Sequence, residues 1–170
     1  QTRLFNIMSD LKGNSVIISG VGSYTPPKIL TNDDLSKIVD TSDEWIMSRM
    51  GIRERRIAGE DETTSDMAAQ AGKAAIQSAG LEPSDIGLIV VGTITPDMPF
   101  PNTACFVQKK LGMGKVPAFD IEAACSGFIY SMDVARCLML VNGIQHALVI
   151  GAEKLSSITN WEDRTTCVLF

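Results

Sequence analysis

The chain has 170 residues, with 15 Lys and Arg against 20 Asp and Glu, a formal charge of −5 with its single His neutral, so it lacks the basic footprint of a nucleic-acid binder. Hydrophobic residues make up 45% and charged residues 21%, the balance of an ordinary globular chain, and a domain of roughly 150 residues buries about two-thirds of its unfolded surface. Cys105, Cys125, Cys137 and Cys167 form no CxxC pair and have no His at ligand spacing, which excludes a sequence-legible zinc site or disulfide framework.

Gln1 is not an initiator residue and Met8-Ser9 offers an alternative start, so residues 1–14 are set apart as an N-terminal extension and 15–170 carry the fold. No apolar run approaches the roughly 18 residues of a membrane span, and no charged-then-apolar leader opens the chain. A cytosolic protein without a membrane or nucleic-acid partner is expected.

From Ser15 onward, short β-branched apolar runs alternate with segments of helical period. The runs are Val16-Ile17-Ile18-Ser19-Gly20-Val21, Ile86-Gly87-Leu88-Ile89-Val90-Val91-Gly92, Ala118-Phe119-Asp120-Ile121 and Ala147-Leu148-Val149-Ile150-Gly151, and each predicts a strand buried on both faces. Thr31 with Asp34, Thr41 with Glu44 and Thr63 with Asp66 have capping-box spacing. Gly51, Gly80, Gly112 and Gly143 stand where helices need a left-handed residue to stop. The Ala-rich residues 67–79, residues 103–111 and the apolar stripe of 126–142 predict helices. Arg53-Glu54-Arg55-Arg56 reads as a solvated loop, Thr95-Pro96-Asp97-Met98-Pro99-Phe100-Pro101 as a long connection. Thr165-Thr166-Cys167-Val168-Leu169-Phe170 reads as a further strand, and the polypeptide is expected to continue beyond it. This alternation predicts an α/β fold with a mostly parallel sheet and helices on both faces.

Gly20-Val21-Gly22 begins like a dinucleotide fingerprint, but Thr25 stands at the third glycine and Pro26-Pro27 follow where the phosphate-binding helix should run, so a nicotinamide site is not expected. His146 has no catalytic-type neighbours in sequence and reads as structural. The strongest local signal is Phe119-Asp120-Ile121-Glu122-Ala123-Ala124-Cys125-Ser126-Gly127-Phe128: a strand ends, small residues turn a corner, and Cys125 opens a long helix. Unsatisfied N–H groups and the macrodipole there favour the nucleophilic thiolate; the alternative is a small buried residue at a close-packed corner. In Thr41-Ser42-Asp43-Glu44-Trp45-Ile46-Met47-Ser48-Arg49, Trp45 and Arg49 share a helix face, either as an aromatic plane and cation for a nucleotide or as a Trp covered by an Arg stem. Asn160-Trp161-Glu162-Asp163-Arg164 is a second Trp and Arg cluster.

Together these motifs, with Gly51-Ile52-Arg53-Glu54-Arg55 and Asp163-Arg164-Thr165-Thr166, closely resemble β-ketoacyl-acyl carrier protein synthase III, the initiating condensing enzyme of type II fatty acid synthesis. The resemblance implies a thiolase-like layered fold, of which this chain is roughly the first of two similar halves plus the start of the second. It implies that Cys125 takes an acyl group, typically acetyl, from acyl-CoA, and that the carbanion from decarboxylating malonyl-acyl carrier protein attacks the resulting thioester. Acyl-CoA is then a substrate, and no cofactor or metal is implied. Trp45 and Arg164 are similar to the pair that sandwiches the adenine of CoA, Thr41 and Arg49 to contacts with base and phosphates, and Phe100 to the residue that crosses a homodimer interface to bound the partner's acyl pocket. The Arg53–Arg56 cluster is a candidate for meeting the acidic carrier protein. The family's catalytic His and Asn lie in the second half, and His146 does not match that His, so condensation by this chain alone is not expected. A synthase III-like acyltransferase that loads a polyketide or quinolone-type pathway and a noncatalytic interaction fragment are the competing readings.

Overall fold

The computed structural model describes residues 15–169, so the N-terminal extension and Phe170 lie outside the described residues. Residues 15–26 carry no regular secondary structure and join no sheet, contrary to the strand expected at Val16 to Val21. A β-branched run needs a partner edge to become a strand, and this one leaves Ile17, Ile18 and Val21 exposed. The chain then forms β1 (Lys28–Thr31), α1 (Asn32–Leu35), α2 (Asp43–Met50), β2 (Glu54–Ile57) and α3 (Thr64–Ser78). It continues through β3 (Leu88–Gly92), α4 (Thr103–Lys110), β4 (Ala118–Ile121), α5 (Gly127–Asn142), β5 (Ala147–Gly151) and α6 (Arg164–Cys167).

Three of the four predicted apolar strands form one parallel sheet in the order β4-β3-β5. All five residues of β3 are buried. Its alternating side chains serve two cores: Ile89 and Val91 meet Ala68 and Ile76 of α3 and Ala104 and Val107 of α4, while Leu88 and Val90 meet Ala135 of α5. Each fully buried Leu, Ile or Val of this kind contributes roughly 1.5–3 kcal/mol. The result is an α/β layer structure with helices on both sheet faces.

Other expectations change. The Arg53–Arg56 stretch is not a solvated loop: Glu54–Ile57 pairs antiparallel with Lys28–Thr31, and the strand alternation turns Arg55 inward to 5% exposure. The terminal strand expected from Thr165 is instead the short helix α6, because the Asp163 carboxylate accepts the Thr165 N–H at 2.8 Å as a helix cap and Cys167 and Val168 then turn into a cluster with Leu35 and Ile46. Capping boxes form at Thr31–Asp34 and Thr63–Asp66, but α2 is capped by Ser42 rather than Thr41, with the Trp45 N–H donating to Ser42 Oγ at 3.2 Å. Gly51 and Gly143 close α2 and α5 at φ of +71° and +66°.

Ala124–Asn142 also proves long and apolar enough to cross a membrane by length and composition, with a mean hydropathy of 1.4, against the expectation that no stretch would qualify. Here it packs Ser131 and Ala135 inward and carries an Asp133–Arg136 ion pair at 2.9 Å on its outer side, the pattern of a sheet-covering helix.

The α3 cap yields a pH prediction. Burial opposes ionisation of Asp66, but hydrogen bonds from Lys110 and from Thr63 outweigh it and lower its pKa to about 2. A carboxylate depressed in the folded state stabilises above its unfolded pKa near 4, and that contribution is lost as pH falls toward 2. Thermal unfolding followed from pH 6 to pH 2 is expected to show a decline in Tm through this window that Asp66→Asn makes shallower.

Candidate active site

Cys125 owes its position to the way β4 ends. The Asp120 carboxylate accepts the Thr103 and Ala104 N–H groups at 2.6 and 2.8 Å, and Asn102 donates to the Ala118 carbonyl at 3.2 Å, so β4 is fastened to the first turn of α4. The chain then reverses through a 3₁₀ turn, Ala124–Ser126, that leads into α5. Ala124 sits at φ +44°, a conformation that costs a residue with a Cβ roughly 1–3 kcal/mol and that clusters at functional corners. The corner leaves Cys125 exposed just before the N-terminal end of a 16-residue helix, where free N–H groups can stabilise an oxyanion.

Glycines let this helix end sit on the sheet. A Cβ on Gly92, the last residue of β3, would stand 2.8 Å from the Gly127 carbonyl carbon and 3.0 Å from the Phe128 nitrogen, and one on Gly151, the last of β5, would meet Phe128 Cβ at 3.2 Å. Cys125 therefore lies at the carboxyl edge of the parallel sheet, the edge where ligands of open α/β sheets bind.

The same edge holds a polar brace. Glu153, beyond β5, accepts from the Ile94 N–H at 3.0 Å and from the Thr95 hydroxyl at 2.7 Å, and so ties the chain after β3 to the chain after β5. Asp97 accepts the Ser65 N–H at 2.8 Å, anchoring the following loop on α3. That loop projects Phe100 at 87% exposure. A cleft of about 370 Å³ opens beside it, lined by Thr64, Ile94, Pro96, Asp97 and Ile158 among others.

His146 immediately precedes β5 and bonds Gly87 through its backbone carbonyl at 2.9 Å. It stands at the amino edge of the sheet, while Cys125 follows the carboxyl end of β4. A strand of five residues separates the two edges by about 16 Å, so His146 cannot serve Cys125 as a base, in keeping with its structural reading.

The second constellation assembles around Trp45 on α2. Arg49, one turn on, places its guanidinium carbon 4.9 Å from the indole centroid, and Arg164, the first residue of α6, places its own at 4.2 Å. The structure thus unites residues 115–119 positions apart in sequence into one cation–aromatic stack. Arg164 Nε and Thr41 Oγ1 are both buried without a hydrogen-bond partner, polar groups that cost free energy unless something satisfies them.

Near this stack, Asn32 was missed in the sequence and Arg55 was read as solvated. Asn32 is 1% and Arg55 5% exposed. The Arg55 guanidinium donates to Asn32 Oδ1 and, at 2.8 Å, to the Val168 carbonyl, and burial lowers its pKa from the usual guanidinium value. Arg55 is therefore withdrawn from any carrier-protein surface, while Arg56 pairs with Glu54 at 3.0 Å. The available signal was alternation: Arg55 stands between two residues that face solvent.

The protein-family model described as 3-oxoacyl-[acyl-carrier-protein] synthase III matches residues 119–170. A β-ketoacyl-[acyl-carrier-protein] synthase III of Xanthomonas campestris is 57% identical over 153 residues, which are 90% of this chain and 47% of that protein. A namesake from Caldanaerobacter subterraneus is 56% identical over the same length. Among solved structures, the 3-oxoacyl-[acyl-carrier-protein] synthase III of Aquifex aeolicus superposes with a TM-score of 0.87 at 56% identity, over 90% of this chain and 49% of that one. The priming β-ketosynthase of the R1128 polyketide biosynthetic pathway superposes with a TM-score of 0.87 at 34% identity, over 93% and 49%. The chain spans about half the length of the relatives it matches.

Proposed function

We propose that this chain, which corresponds in sequence and fold to about half of a β-ketoacyl-acyl carrier protein synthase III, supplies the acyl-accepting cysteine and the adenine end of an acyl-CoA cleft. The observation that carries this reading is Cys125: exposed, at a strained corner, and at a helix N-terminus on the carboxyl edge of the sheet. Its thiolate Sγ attacks the carbonyl carbon of a short acyl-CoA, typically acetyl-CoA. The C–S bond to CoA then breaks, and CoA leaves as a thiolate that takes up a proton. In the second half-reaction malonyl-acyl carrier protein loses CO₂, and its carbanion attacks the enzyme thioester. The Cys125 Sγ–carbon bond breaks, which regenerates the thiolate and releases the β-ketoacyl carrier protein. Splitting the condensation in this way is the usual gain of covalent catalysis.

Decarboxylation needs donors to stabilise an enolate, and the resemblance places those, a His and an Asn, outside residues 1–170. We accordingly assign loading to this chain and condensation to a complete synthase, acting as a cytoplasmic homodimer in which exposed Phe100 bounds the partner's acyl pocket. Trp45 and Arg164 sandwich adenine, with Thr41 and Arg49 on the base and phosphates. Arg164 lies over the indole at 4.2 Å from its centroid, on the aromatic plane that adenine would share. Base–aromatic stacking contributes about 1–3 kcal/mol. Trp45→Ala is therefore expected to weaken CoA binding roughly 5- to 150-fold, as read by calorimetric titration, and an unchanged Kd would remove Trp45 from the site.

The likeness to a polyketide-priming ketosynthase favours one second reading, a starter-unit transferase with the same cysteine chemistry. Profiling acyl donors and carrier acceptors with the complete protein separates the two.

A further inference from the structure

Near the Trp45–Arg164 stack, one polar relay centred on buried Asn32 and Arg55 connects the helix that carries Trp45 to the helix that carries Arg164. The Asn32 amide donates to Asp43 Oδ1 at 2.7 Å and to the Ile52 carbonyl at 2.8 Å. Asp43 is the first residue of α2 and Ile52 follows its Gly51 cap, so one side chain grips α2 at both ends. The Asn32 oxygen accepts from Arg55, whose other terminal nitrogen holds the carbonyl of Val168, the cap residue of α6. The carboxamide thereby uses both donors and its acceptor.

The α6 helix has four residues, far below the length at which a helix is stable by itself. Its position is set by what it touches: the Cys167 and Val168 side chains in the apolar cluster, and the Arg55 hydrogen bond at its end. Loss of that bond would leave α6 hydrophobically attached but free to rock, and Arg164 at its first position would move with it.

We infer that Asn32 and Arg55 are positioning residues for nucleotide recognition: they fix the spacing and tilt of the Trp45 and Arg164 planes, and thereby set the affinity for the adenine end of acyl-CoA without touching it. This inference rests on the reading of Trp45 and Arg164 as the adenine clamp. Lysine at position 55 keeps the charge but, with a single terminal nitrogen, cannot span Asn32 and the Val168 carbonyl in the planar fork of a guanidinium.

The test compares two acyl donors in single-turnover loading of the complete protein: acetyl-CoA, and acetyl-pantetheine, which lacks adenine and the nucleotide phosphates. Arg55→Lys is expected to raise the half-saturating acetyl-CoA concentration at least 5-fold and to leave that for acetyl-pantetheine unchanged. Asp43→Ala, at an exposed helix position whose loss leaves the fold intact, should shift acetyl-CoA alone in the same direction and by less. Equal effects on both donors, or none with either variant, would overturn the inference; if Arg55→Lys fails to fold, Asp43→Ala decides by the same criterion. Trp45→Ala, run in parallel, separates the two levels. If it leaves acetyl-CoA saturation unchanged, the clamp reading fails and takes this inference with it. If it alone shifts saturation, only the relay is refuted.

Discussion

Cys125→Ala is expected to abolish acyl loading, with a loss of roughly 10³-fold or more in the rate of CoA release from acetyl-CoA. The size of the effect follows from the absence of a substitute among the described residues. Cys105 is half-buried within α4, and its Sγ lies 4.0 Å from the Ala118 carbonyl. Cys137 is half-buried on α5. Cys167 is buried, and desolvation raises its pKa, which disfavours the nucleophilic form. Cys125 alone combines exposure with a helix N-terminus. Cys125→Ser keeps the geometry but replaces the thiol with a hydroxyl, far less acidic and a far weaker nucleophile, so it should be nearly as inactive. A burst of CoA release from either variant at the wild-type rate would place the chemistry elsewhere.

The second large effect is structural and acts on the same site. Gly92→Val is expected to destabilise the protein by about 3 kcal/mol and to abolish loading. The three nearest atoms that a new Cβ would meet at Gly92 belong to the backbone of Gly127 and Phe128, at 2.8–3.0 Å. No side-chain rotation relieves the overlap, so the first turn of α5 must lift off the sheet. Overpacking of this kind costs about 1–3 kcal/mol, occasionally more, and 3 kcal/mol corresponds to a fall in Tm of roughly 6–12 °C in a chain of this size. Lifting α5 also moves Cys125, two residues before Gly127. Gly114→Ala is the control: a Cβ there meets nothing within 4 Å, and its Tm should stay within 1–2 °C of the parent. If Gly92→Val unfolds at the parental temperature, the close approach of α5 to the sheet edge is wrong.

The parallel sheet was legible because β3, β4 and β5 are written as short apolar runs between helix-period segments, and tight Thr–Asp boxes and glycine stops marked the helix ends. The corner at Cys125 was legible for a local reason: strand, small residues, cysteine and helix follow one another without interruption. What failed depended on partners distant in sequence. Val16 to Val21 has strand propensity but gains no edge to pair with, so propensity alone misled. Residues 165–170 read as a strand, but the Asp163 cap and the burial of Cys167 and Val168 favour a helical turn over Arg164–Cys167. Arg55 looked solvated in a run of charges, yet its acceptors, Asn32 and Val168, lie 23 and 113 residues away, a pairing that no local pattern announces. Trp45, Arg49 and Arg164 could be nominated from the resemblance, but only the fold shows both guanidinium groups against one indole.

The most direct measurement is to incubate the protein with acetyl-CoA, quench in acid, and map acetylation by peptide mass. The account predicts one acetyl group on the peptide containing Cys125, none on those containing Cys105, Cys137 or Cys167, and none anywhere in Cys125→Ala. A protein that stays unlabelled, as a noncatalytic interaction module would, or one labelled at another cysteine, would contradict it.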